Sequence, residues 1–245
     1  MKALVALCGV MVTSFCAIGA ENIPSIAPIA KTADLEIRGA KVKLVEKLDL
    51  LVFEIEVNGV PGNTIPNARG ALNGAPVLGY VFPTDLRSTD VGFGEVDGIV
   101  ALAITSHPDF DDTPLWDENN DRDYLNDGVV FHPHWVVLTK DDRVKGGLAV
   151  LPIDAADERA DVLPPTNPGM PMYMDSPGFS IVQKGNTIRA LVPLSRVNNR
   201  RELQFDAVTA YMQVMQSGDY PLLGVYEVYD VWSGDLSLPG RVKKD

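Results

Sequence analysis

The stretch Leu50-Leu51-Val52-Phe53-Glu54-Ile55-Glu56-Val57 decides the fold class. From Phe53 onward, large apolar residues alternate with glutamates, so Phe53, Ile55 and Val57 leave one face of an extended chain and the glutamates leave the other. That is the pattern of a half-buried antiparallel strand. Upstream, Leu35, Ile37, Val42 and Leu44 alternate in the same way.

Downstream, β-type runs recur at Val77 to Phe82, Ile99 to Ile104, Val129 to Leu138, Leu148 to Ile153, Phe179 to Val182, Thr187 to Val192, Ala207 to Val214 and Leu222 to Tyr229. Turn dipeptides such as Asn58-Gly59, Asn73-Gly74, Asp97-Gly98 and Gly146-Gly147 punctuate them. Gly185-Asn186, set between two such runs, makes the clearest hairpin. No helical period exceeds two turns, although Ala155 to Asp161 could wind into one short helix. Short, evenly spaced strands with glycine turns predict an all-β chain, an antiparallel, Ig-like β-sandwich with little helix. Two long connections, His107 to Gly128 and Ala155 to Ser176, are the expected functional loops, because compact β domains rarely carry loops of that length without a task.

The ends of the chain predict its compartment. Residues 1–20 begin with Lys2, continue through an apolar run to Val12 and close on the small residues Ala17-Ile18-Gly19-Ala20, the pattern of a cleaved secretory signal. Residues 21–33 then read as an extended arm and 34–245 as one β-sandwich domain. Both cysteines, Cys8 and Cys16, lie within the signal and follow Leu7 and Phe15, which does not suit lipid attachment. The mature chain is expected in the periplasm, at the cell surface or secreted, without disulfide or thiolate chemistry. Its length suffices for one large core, burying about 70% of the unfolded surface. No later stretch is apolar for long enough to span a membrane. The formal net charge of −12 disfavours nucleic acid and anionic membranes as partners and draws cations.

Three groups of residues could carry chemistry. All three histidines, His107, His132 and His134, fall within a short span of the chain. In Phe131-His132-Pro133-His134-Trp135 the two imidazoles share one strand face and can share one metal ion, and His107 is the candidate third ligand. Met170, Met172 and Met174 recur at every second position, so an extended chain sets three soft thioether sulfurs on one side. The bland alternatives are a solvated histidine face and a strand burying flexible methionines. Trp116 and Trp135 could shield such a site or simply pack in the core.

The third group is the acidic loop 109–128, where Asp117, Asn119, Asp121 and Asp123 alternate as calcium loops place their oxygen ligands. Arg122 and Gly128 stand where an EF-hand needs glycine and glutamate, so the loop is not an EF-hand. No hydrolase, metalloprotease or nucleotide-binding fingerprint is present, and Ser106, His107 and Asp109 form no specific triad.

In His132, His134, Trp135, His107 and the three methionines, the chain resembles secreted bacterial copper-binding β-sandwich proteins of the CopC type and of the methanotroph CorA and MopE type. The likeness is one of compartment, expected fold and site composition, not of an alignment along the chain. It implies copper held by histidine and methionine ligands, and oxidation of a tryptophan, Trp116 or Trp135, near the metal. The expectation is an exported protein that binds copper for buffering, uptake or transfer, with another exported copper-handling protein as partner and calcium as a second ligand. The rival readings are a calcium-stabilised surface or adhesion module and an exported hydrolase.

Overall fold

The computed structural model describes residues 29–66, 72–106, 122, 131–154 and 162–244. Within them the chain runs through β1 (Ile37–Val45), β2 (Leu50–Val57), β3 (Pro76–Pro83), β4 (Ile99–Ser106), β5 (His132–Lys140), β6 (Leu148–Val150) and β7 (Met174–Asp175). It continues through β8 (Ile181–Lys184), β9 (Thr187–Pro193), β10 (Gln204–Phe205), β11 (Val208–Val214), β12 (Leu223–Val231) and β13 (Gly240–Lys244). Single 3-10 turns at Ala33–Leu35, Glu46–Leu48, Ser88–Val91 and Leu194–Val197 are the helical pieces among the described residues. None of them is long enough to cross a membrane. The signal segment expected at 1–20 and the short helix expected at 155–161 lie outside the described residues.

The all-β expectation holds, and the deciding stretch behaves as its pattern requires. Phe53, Ile55 and Val57 are fully buried, while Glu54 turns to the opposite face and pairs with Lys41 and Arg189 across the neighbouring strands. The Gly185-Asn186 hairpin forms between β8 and β9, with Lys184 opposite Thr187 and Gly185 at a φ of 60°. Only glycine adopts that conformation without steric cost.

The strand pairing differs from two open, Ig-like sheets. One sheet is open and runs β10-β13-β1-β2-β9-β8, and β13 joins β1 in parallel. The other runs β4-β3-β11-β12-β6-β5-β7, and β4 also pairs with β5 from Ile99↔Leu138 to Thr105↔His132. That pairing closes six of its strands into a barrel and removes two edges at once.

Closure gives the barrel strands two buried faces with different jobs. Outward residues of the β3-β4-β5 wall, among them Tyr80, Phe82, Leu102, Ile104 and Trp135, meet Phe53 and Ile55 of the open sheet in the principal core. Phe53 packs edge-on against Phe82 at 5.2 Å and Trp135 at 6.3 Å between ring centres. Each such side chain buried contributes roughly 1.5–3 kcal/mol, and this layer holds the sheet to the barrel. Inward residues, including Val77, Ala103, Val136, Val208 and Val225, face one another across the barrel lumen.

Candidate metal centre in the barrel wall

The lumen is built in rungs. One rung runs Ala210, Gly79, Thr105, His132 across β11, β3, β4 and β5. The next runs Val208, Val81, Ala103, His134, and the third runs Pro83, Ala101, Val136, Met174. Small residues, Thr105 and Ala103 on the adjoining strand and Gly79 and Ala210 beyond, therefore share these rungs with the two histidines. They leave a cavity of about 310 Å³ along the lumen, walled almost wholly by apolar atoms. A barrel of this size normally fills its interior with side chains.

His132 and His134 are both buried, and their rings meet edge to face with centres 4.7 Å apart. The alternation of a strand produces this, because positions 132 and 134 leave the same face of β5. The His134 Nδ1 lies 3.0 Å from the Ser176 hydroxyl, which fixes the ring plane. His134 lines the lumen, with Thr105 of the adjoining rung close by.

The methionine run lies beside it. The Met172 N–H donates to the Met170 carbonyl at 2.7 Å, and the Met174 N–H donates to the Met172 carbonyl at 2.8 Å. Two such i to i+2 bonds in succession keep every second side chain on one side. Met172 and Met174 are buried and line the lumen, whereas Met170 packs half-buried at its margin.

A fourth methionine, Met212 of β11, joins them from the far wall. A Cβ on Gly79 would meet its methyl group at 2.9 Å and the Thr105 methyl at 3.5 Å, so the missing side chain of Gly79 makes room for Met212 in the rung of Thr105 and His132. Met212 and Ser176 were not among the sequence candidates. Met212 carried a usable signal, since Val208, Ala210, Met212 and Val214 share one face of a strand. Ser176 carried none, because its bond to His134 spans 42 positions.

Trp135 leaves β5 on the opposite face and belongs to the principal core, where its ring meets Phe53 rather than the imidazoles. Its indole N–H has no hydrogen-bond partner among the described residues. His107, Trp116, Asp117, Asn119, Asp121 and Asp123 all lie outside the described residues. Among the described residues no three histidine, cysteine or carboxylate side chains converge. A metal held by the imidazole pair would, among the described residues, complete its shell with thioethers.

The donor set fits a soft or borderline ion. Two imidazoles and neighbouring thioethers suit copper, and a hard cation would want more oxygen donors than the lumen offers. No family model matches the chain, and neither a curated protein nor a solved structure does.

Proposed function

We propose that the protein binds copper at the inner wall of its barrel, through His132 and His134 with thioether sulfur from Met172, Met174 or Met212. Its task is to buffer the metal, take it up or pass it to another exported copper-handling protein. The reading rests on the imidazole pair, two buried rings 4.7 Å apart on one strand face. Imidazole accepts copper in either oxidation state, and thioether sulfur favours Cu(I). The Ser176 hydroxyl, bonded to Nδ1, orients His134 so that Nε2 meets the metal, the usual service of an outer-shell partner. The apolar lumen limits the access of water to the bound ion.

Competition titration of Cu(I) against a chromophoric chelator tests this. The natural protein takes up one copper per chain. His132→Ala with His134→Ala lowers its affinity by about 100-fold or more, and Ser176→Ala lowers it by about tenfold. Met174→Leu weakens Cu(I) and spares Cu(II). Unchanged affinity in the double histidine variant contradicts the proposal.

A further inference from the structure

The lumen extends well beyond the imidazole pair, and its far end opens to solvent. Ile99, Val228 and Leu236 line that mouth and are 38%, 37% and 40% exposed. Three large apolar residues around one opening is an arrangement that water opposes unless something apolar passes or rests there. Leu236 and Leu238 reach the lumen from the connection between β12 and β13 with φ of 59° and 54°, a backbone region that leucine rarely adopts.

The polar residues of that connection hold it in place. The Ser233 hydroxyl donates to Asp206, the Asp235 N–H donates to the Ser233 hydroxyl at 3.1 Å, and the Ser237 N–H donates to Asp235 at 3.1 Å. The Arg241 guanidinium donates to the Leu238 carbonyl at 2.8 Å. Polar positions anchor the strap, and both leucines are left against the opening. Such backbone persists where the surroundings over-determine it, as at ligand clamps.

Inside the lumen stands one polar atom without a partner. The Thr105 side chain is buried and lines the cavity, and its hydroxyl has no hydrogen-bond partner among the described residues. Its methyl group is turned toward Gly79 and Met212, and its rung continues to Ala210. Among the lining residues Asp85, at the mouth, is the single carboxylate, and no lysine or arginine joins it. An anionic ligand would find no counter-charge there.

We propose that the barrel lumen binds a small, largely apolar molecule with one uncharged hydrogen-bonding group. That group meets the Thr105 hydroxyl, and the hydrocarbon part lies along Val81, Ala103 and Val136 toward the leucine strap. A mostly apolar cavity of a few hundred Å³ with one convergent polar group is the usual form of a small-molecule site. A medium-chain alcohol has the required chemistry. The inference is independent of copper, and its test uses protein stripped of metal by chelation.

The stripped protein is titrated with the fluorophore N-phenyl-naphthylamine, and bound probe is then displaced with dodecanol. Saturable, blue-shifted binding of one probe per chain is expected, with full displacement. Ala103→Phe puts a ring into the lumen and lowers probe affinity by about tenfold. Leu236→Asp, at a position 40% exposed to solvent, does the same while the circular dichroism melt stays unchanged. Thr105→Val leaves the probe's affinity as it was and weakens displacement by dodecanol several-fold. The proposal is overturned if the folded natural protein binds no probe saturably, if Leu236→Asp binds it unchanged, or if Thr105→Val leaves dodecanol equally effective.

Discussion

Thr105 offers a direct measure of what the lumen costs when it is empty. A buried hydroxyl without a partner forfeits its hydration, about 1–3 kcal/mol, and valine keeps its shape without that loss. Thr105→Val should therefore stabilise the empty protein by about 1 kcal/mol, read as a higher urea midpoint at an unchanged slope. A lower midpoint would mean that the hydroxyl has a partner in solution. The histidine pair was legible at this scale, because alternation alone puts positions 132 and 134 on one face and the chain has a single further histidine, His107. The role of Trp135 was not. Adjacency in sequence suggested a shield for the imidazoles, and the same alternation sends the indole to the opposite face, against Phe53.

Among the elements, β4 shows how two buried faces are encoded. Val100, Leu102 and Ile104 fill the core against the open sheet, while Ala101, Ala103 and Thr105 face the lumen. Hydropathy is continuous along the strand, but size alternates, and the small face is where the cavity lies. The residue that leads into it is constrained as well. Gly98 has a φ of 154°, and a Cβ there would lie 2.5 Å from a Val137 methyl and 2.7 Å from the Leu138 carbonyl oxygen. Gly98→Ala should lower stability by about 2 kcal/mol in chemical denaturation, with the β4–β5 seam the part that yields.

Asp90 joins the turn after β3 to the turn after β9. Its buried carboxylate accepts the Arg87 N–H at 3.0 Å and the Asn198 amide at 3.2 Å, and Arg200 lies 3.6 Å away. Burial alone would raise its pKa; the bonds from Arg87 and Asn198 and the two guanidinium charges outweigh burial and hold it below the ordinary 3.8. A carboxylate depressed in the folded state stabilises the fold above its unfolded pKa and loses that contribution as pH falls through the folded value. Asp90→Asn should cost about 2 kcal/mol at pH 7, and the difference should begin to shrink below about pH 4 and close as pH falls past the depressed folded value. A gap that persists at lower pH would argue that the amide disturbs packing instead. Long alternating strands such as β2, β9 and β11 were legible in sequence. β7 and β10, two residues each, and the polar β13 were not, since backbone pairing with partners distant in sequence holds them.

The molecule as a whole departs from an Ig-like sandwich through one seam. The pairing of β4 with β5 turns a sheet into a barrel and creates a second interior behind the first. Sequence periodicity reports which faces are buried, and both the principal core and the lumen satisfy it, so it could not separate an open sheet from a closed one. The seam also carries the proposed chemistry. It sets His132 beside Thr105 and His134 beside Ala103, and β7 then brings Met174 to the same wall. Copper bound there favours the closed barrel over any state with a broken seam, and at a free concentration 100 times the dissociation constant it should add about 2.7 kcal/mol to unfolding. The most direct test of the central claim is X-ray absorption spectroscopy of the copper-loaded protein at the metal edge. The account predicts outer-shell scattering from two imidazole rings together with at least one sulfur, with the ring signal lost in His132→Ala, His134→Ala protein. A shell of oxygen donors with neither imidazole nor sulfur would contradict it.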